Sequence, residues 1–513
     1  MILGDPALTP ALPHDPARET IDEHFRRLVQ RLPDALALAD PANRASVTDG
    51  EPRRLTYAQA DRAVAAIAAR LRGMGLPTDA IVGIQLPNIA ENILAMLGVL
   101  RAGMIVAPLP LLWRRADAVA ALARIGAKAL ITCGRVGPLN HCQLVMGVAA
   151  DVFSIRYVCA FGGNLPDGVV PFDDLLDVDP SDPAPPSDRG RAGSACAHVA
   201  AVTFDVGQRG IVAVARSHSE LLAGGLAVVR ESALAGNAGI LSTLAPASFG
   251  GICLTLLPWL LRGGPLVLHH PFDPGMLARE QRRDRCGAIV LPGPLVFSLA
   301  ETGAFAVESP ATIIAAWRSP DWLTASSIWR ETDIDLVDVA VFGEAAIVPG
   351  RRGAGGKPHP MHAGDASVEL MRTAAGTVAL RGAMVPHQVF PPGIERSGLP
   401  YFEVGPEGWV DSGYPCRIDS VSKAIVVTGP PSGIVTVGGY RFPLRDLQDV
   451  VSRVDGDASL AALPDPLIGQ RLIGNAPDRA TMQAALGAVG VNPIVVAAFR
   501  DRSGRGSSAA CAG

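Results

Sequence analysis

Apolar residues in the first third of the chain alternate between helical and strand spacing. Val64, Ile67, Ala68 and Leu71 fall three or four positions apart and mark one helical face. Thr56 and Gln59 form a capping box before it, the hydroxyl and the amide oxygen each accepting a backbone N–H that a first helical turn leaves free. Gly73 and Gly75 end that segment. Ile81 to Leu86 reads as a short strand. Asn88 with Glu91 then opens a second helix, which carries Ile93, Met96, Leu97 and Leu100 and stops at Gly103. A strand at Met104 to Pro108, a helix at Ala116 to Ile125 and a strand at Ala129 to Thr132 continue the alternation. Strands separated by helices at this spacing predict a parallel sheet covered by helices, hence an α/β fold.

The pattern then breaks. Asp179 to Arg191 is rich in Pro, Asp and Ser without apolar period, which predicts an exposed linker. Apolar segments resume at His198 and run to about Pro386, and Pro391 to Gly408 is a second Pro/Gly-rich stretch. Beyond it come strands at Ala424 to Thr428 and Ile434 to Val437, and helices at Leu444 to Val454 and Ala480 to Val489. A chain of 513 residues exceeds one compact core. The expectation is a large domain over residues 20–418, a small α+β domain over 419–500, and a tail, 501–513, too rich in Gly, Ser and Ala to hold one structure.

Composition narrows the partners. A content of 49% hydrophobic and 18% charged residues suits a chain that buries much of its surface. The net charge of −4 argues against nucleic acid. Lysine occurs only at Lys128, Lys357 and Lys423, which limits chemistry that needs an ammonium group. The eight cysteines form no C-x-x-C pair and no zinc spacing, and the start, with acidic Asp5, lacks the pattern of a leader. A reducing cytoplasm is expected. The most apolar run, Phe249 to Leu261, is broken by Gly250, Gly251 and Pro258 and falls short of the ~18–20 residues that span a bilayer, so it is assigned to the core. His269-His270 closes an apolar strand and reads as edge polarity, so no metal site is expected.

Several fragments occur in order and at consistent spacing: Leu55-Thr56-Tyr57-Ala58, Gln85-Leu86-Pro87-Asn88, Gly98-Val99-Leu100-Arg101-Ala102-Gly103, Phe272-Asp273-Pro274, Gly408-Trp409-Val410-Asp411-Ser412-Gly413 and Gly438-Gly439-Tyr440-Arg441-Phe442. Together, over about Glu23 to Arg500, they resemble the adenylate-forming (AMP-binding) superfamily of acyl-CoA synthetases and related acid–thiol ligases. The resemblance implies a large domain of layered sheets and helices with a small hinged domain after it, the hinge falling at Asp419. It implies joining of a carboxylate to AMP and transfer of the acyl group to a thiol, with ATP, Mg2+ and CoA as cofactors and a small carboxylate or acyl-CoA as partner.

Against that family pattern, the ATP-handling motifs are largely replaced. The phosphate loop, T-S-G-T-T-G-x-P-K-G in the family, corresponds to residues 205–213, where Gly207 and Gly210 are kept, the hydroxyls and lysine are gone, and Arg209 is the substitute cation. The magnesium glutamate of the aromatic-Gly-x-Thr-Glu motif becomes Ala346 in Phe342-Gly343-Glu344-Ala345-Ala346. Glu344, two positions earlier, would lie on the same side of an extended strand but roughly 6–7 Å away. The ribose acid becomes Tyr414, and Gly-Arg-x-x-Asp becomes Gly429-Pro430-Pro431-Ser432-Gly433. No lysine follows Lys423, leaving Arg505 as the C-terminal cation. Ser248, Phe249 and Gly250 correspond to the acyl pocket, and Gly438, Gly439 and Tyr440 to the CoA side of the small domain. Three functions stay open: a ligase using Arg209, Glu344 and Arg505 as replacements; a non-catalytic protein that binds a nucleotide, an acyl-CoA or a partner; and an acyltransferase that takes a ready-made thioester.

Overall fold

In the computed structural model the described residues are 18–177, 194–305, 310–324, 326–363 and 367–500. Arg505, the expected tail and the expected linker lie outside them. Among the described residues the strands form an eight-stranded sheet, a seven-stranded sheet, two four-stranded sheets and a two-stranded ribbon. Ile105–Pro108, Ile81–Ile84, Ala129–Cys133 and Tyr157–Phe161 lie side by side and parallel in the seven-stranded sheet, as the alternation predicts. The eight-stranded sheet has Leu36–Ala39, Leu266–Leu268, Ile240–Ser242, Ala288–Pro292, Thr312–Trp317 and Asp335–Phe342 parallel, with antiparallel strands Arg54–Thr56 and Ala346–Arg351 at its two edges. No helix among the described residues is long and apolar enough to cross a membrane.

The helix Tyr57–Gly73 begins on the expected box, Thr56 and Gln59 exchanging side-chain and backbone hydrogen bonds. The next helix, Ala90–Arg101, differs from expectation. Asn88 does not cap it; its amide instead donates to the Ser242 carbonyl. The Asp40 carboxylate, fifty positions earlier, accepts the Ala90 N–H at 2.7 Å. Every residue of this helix is buried, so its polar members need internal partners. Arg44 serves Glu91, reaching it and Asp40 at 2.6 Å, while Asn92 donates to the Leu86 and Pro87 carbonyls and Arg101 pairs with Asp22 and Asp61. Burial and the Asp40 charge push the Glu91 carboxyl well above its usual range.

The third sheet pairs Glu369–Arg372, Thr377–Arg381, Val410–Ile418 and Ile425–Val427 antiparallel. Asp419 lies in the turn between its last two strands, where its carboxylate accepts the Val421 and Ser422 N–H groups. Because both arms of that turn belong to one sheet, Asp419 is not where the chain crosses to its last unit. The crossing is at residues 428–433, the Pro430-Pro431 segment. Beyond it, Ile434–Val437, Tyr440–Pro443, Ser459–Asp465 and Gly469–Asn475 form the fourth sheet. With the helices Leu444–Val454 and Arg479–Val489 that sheet encloses a separate core of Val435, Leu447, Val451, Leu486 and Phe499.

Replacing Arg44 with Met would leave the buried Asp40 and Glu91 carboxylates with only the more distant Arg53, 3.8 Å from Glu91, as a cation. A cost of about 3–5 kcal/mol is expected, read as a lower urea midpoint by tryptophan fluorescence, with a smaller loss in the Arg44→Met, Glu91→Gln pair.

Candidate functional site

One cavity of about 380 Å³ opens where the carboxyl ends of the parallel strands meet the last unit. Thr243, His269, Pro292, Trp317 and Gly343 follow or end five strands of the eight-stranded sheet, and Leu86 and Pro110 follow two strands of the seven-stranded one. Carboxyl ends of parallel strands are the usual ligand position in open α/β sheets, since the loops there can diverge without breaking the ladder.

The segment expected to wrap phosphate does not form a loop. Val199–Gly207 and Gly210–Ser217 make a continuous antiparallel hairpin, paired out to Gly207 against Gly210, with only Gln208 and Arg209 in the turn. In an extended ladder successive N–H groups point to opposite sides, so they do not converge on one anion as a nest does. Arg209 points away from the cavity and meets Glu403 at 2.9 Å, both side chains about two-thirds exposed (64% and 67%). Such a pair contributes little, and Arg209 is removed from the set of site cations.

Asp205 occupies the centre that this hairpin leaves. Its carboxylate accepts the Val206 N–H at 2.7 Å and the Glu344 N–H at 3.2 Å, and pairs with Arg441 at 2.5 Å. Arg441 also donates to the Tyr414 hydroxyl at 2.7 Å, and that hydroxyl donates to the Arg318 carbonyl. Gly343 makes room for the ion pair: its φ is +56°, and a Cβ there would sit 2.5 Å from Arg441 Nη1 and 2.7 Å from Asp205 Oδ2. Tyr414 is buried edge-on against Phe342 and lies beneath this arginine rather than facing the cavity.

Glu344 sits in the turn between Asp335–Phe342 and Ala346–Arg351, not in a strand, so it does not share a side with Ala346 as the spacing implied. Its Oε2 accepts the Phe249 N–H at 3.0 Å, and burial raises its pKa to about 7. Ala346 is fully buried and offers no ligand atom. Arg216 lies behind the turn, donating to the carbonyls of Met384, Glu344 and Ala345, its guanidinium 3.6 Å from the centre of the Phe249 ring. Of the expected acyl-pocket residues, Ser248 lines the cavity and caps Phe249–Gly251, whereas Phe249 and Gly250 pack into the core behind it. Gly438, Gly439 and Tyr440 do line the cavity; they form the tip of a hairpin whose Tyr440 hydroxyl accepts the Leu112 N–H. His269 is committed to Glu280 at 2.6 Å, while His270 borders the cavity with its pKa lowered to about 4 by burial. No group of three metal-ligating side chains occurs among the described residues.

Residues 25–184 match the AMP-binding enzyme family. A stretch of 164 residues is 31% identical to long-chain fatty acid transport protein 1 of Bos taurus, covering 32% of this chain and 23% of that protein. A stretch of 93 residues is 33% identical to a beauvericin nonribosomal cyclodepsipeptide synthetase of Gibberella fujikuroi, covering 18% of this chain and 3% of that protein. The matches thus span under a quarter of these curated relatives. Among solved structures, the amide bond synthetase McbA of Marinactinospora thermotolerans superposes with a TM-score of 0.69 at 19% identity, covering 92% of this chain and 94% of that one. The chain thus shares the fold of that structure, and residues 25–184 match the AMP-binding enzyme family in sequence.

Arg441 and Arg318 are charged residues at the cavity that sequence reasoning passed over as site groups. Arg441 stood inside a recognised fragment, and Arg318 directly follows the apolar strand Thr312–Trp317, the one local signal that pointed to a strand's carboxyl end.

Two outcomes are expected. Arg441→Ala strands the Asp205 carboxylate and should cost about 3 kcal/mol, seen as faster limited proteolysis at residues 428–433. Because the Glu344 pKa is raised above its unfolded value, its contribution is full below about pH 4.5 and is lost as pH rises towards 7. Glu344→Gln should therefore melt higher than wild type at pH 8, by up to about 3 kcal/mol, with the difference shrinking at pH 5.

Proposed function

We propose that this chain binds a small organic acid, or the thioester of one, in the cavity and does not adenylate it. The observation that carries the reading is Asp205. Its carboxylate takes two backbone N–H groups and an arginine, the kind of donors a bound phosphate would require. The site therefore holds an internal anion, and a polyphosphate brought to it would meet like charge.

The other groups required for adenylation do not fit either. A magnesium ion needs oxygen ligands; the Ala346 side chain has none, and the Glu344 carboxyl in the turn is taken up by the Phe249 N–H. A ribose needs a free acid, and the Tyr414 phenol is buried and already bonded to Arg441 and the Arg318 carbonyl. Each missing donor or ligand is worth on the order of 3 kcal/mol at a transition state, about a hundredfold in rate. The acyl side is different. An open, largely apolar cavity remains, bounded by Ser248 on one side and by Gly438, Gly439 and Tyr440 on the other. Those last three, expected as the CoA side, are the natural wall for a thiol ester.

The test is ATP–pyrophosphate exchange with Mg2+ across a panel of aliphatic and aromatic acids, beside calorimetric titration of the same acids and their CoA thioesters without ATP. Acid or thioester binding with no exchange is expected. Exchange at about 1 s−1 or faster, an ordinary enzymatic rate, would overturn the reading. Heat from the thioesters alone would make the thioester, rather than the free acid, the ligand.

A further inference from the structure

We propose that Arg318 is the anion anchor of the cavity and that the ligand is an aromatic monocarboxylic acid; the inference rests on the acid-binding reading above and specifies its ligand. Arg318 follows the strand Thr312–Trp317 at the carboxyl edge of the eight-stranded sheet and lines the cavity. Its side chain runs under the hairpin tip of the last unit: a Cβ on Gly439 would lie 2.3 Å from its Cδ and 2.7 Å from its Nη1. Gly439, at φ +89°, is what allows that approach.

The cation there is half-buried and faces the cavity without a counter-ion. Burial lowers the Arg318 pKa, and the groups opposing that effect are Tyr440 and Glu344, neither in ion-pair contact. Among the described residues no carboxylate lies within salt-bridge distance of Arg318. The neighbouring arginines are already engaged: Arg441 holds Asp205 and Tyr414, and Arg216 holds three carbonyls. An arginine stays charged at any physiological pH, so one that faces a mostly apolar cavity with no carboxylate partner offers a place for an anion. A carboxylate meets the planar guanidinium with two parallel hydrogen bonds.

The body of the ligand follows from the walls. Aromatic residues are 5% of the chain, yet six of them, Trp113, Phe204, Phe272, Trp317, Trp322 and Tyr440, line this one cavity. Rings stack and meet edge to face with rings, a preference that flexible alkyl chains do not share. A flat conjugated acid fits such walls better than an aliphatic one of equal size.

Calorimetry of the full chain with cinnamate, hexanoate and neutral cinnamamide tests this. Cinnamate is expected to bind tightest of the three. Arg318→Gln should weaken cinnamate by about 10–100-fold and leave cinnamamide unchanged, while Arg318→Lys restores part of the loss. Equal binding of cinnamate and cinnamamide to the unaltered protein overturns the anchor without recourse to any variant. Unchanged cinnamate binding by an Arg318→Gln protein with native near-ultraviolet dichroism does the same, and in both cases the acid-binding reading survives. Hexanoate binding tighter than cinnamate overturns the aromatic assignment. Silence from every acid and thioester overturns this inference and the reading beneath it together.

Discussion

The arrangement of the site depends on one guanidinium. Arg441, from the last sheet, is shared between Asp205 of the seven-stranded sheet and Tyr414 of the third. Three sheets that have no common strand are joined at this point. Both partners favour its charged form, and it lies mostly buried, its side chain 11% exposed. Desolvating such a pair is costly, and the cost is recovered only when the remaining donors and lone pairs are satisfied. Here Asp205 also takes two N–H groups, so the carboxylate is compensated on three sides.

The hairpin makes that compensation possible. A wrapped loop would carry its N–H groups towards solvent or a ligand. A ladder with a two-residue turn instead holds Asp205 in register opposite Val212 and brings its side chain to the Gly343 turn. The tight hairpin turn and the internal anion thus go together. With the ladder closed, the C-terminal hairpin can rest against the cavity mouth, where Tyr440 accepts the Leu112 N–H.

Most of the fold was legible because its signals are local. Apolar period, the Thr56–Gln59 box and the strand–helix alternation depend on neighbours within a few residues, and each was found where expected. The site was less legible because its partners are remote in sequence. Asn88 looked like a cap, but the cap comes from Asp40; Glu344 looked like a displaced strand ligand, but a turn redirects it to Phe249. Asp419 had the right type for a pivot, and only the pairing of Cys416 with Val427 around it places it inside one sheet. Arg209, the obvious substitute cation, was misread because nothing local distinguishes a turn tip that faces Glu403 from one that faces a cavity.

What the site can hold follows from how its charges are spent. Three arginines stand at or behind the cavity, and all are fixed cations rather than titratable amines. Arg216 is absorbed by three carbonyls under a phenyl ring, and Arg441 by a carboxylate and a phenol. Only Arg318 faces the space with its charge unmatched among the described residues. A triphosphate carries several negative charges and needs several open cations or a metal to accompany it out of water. One open guanidinium beside a buried carboxyl matches a single negative charge. On the proposed reading, the same charge distribution favours a monoanion with an apolar body over a nucleotide.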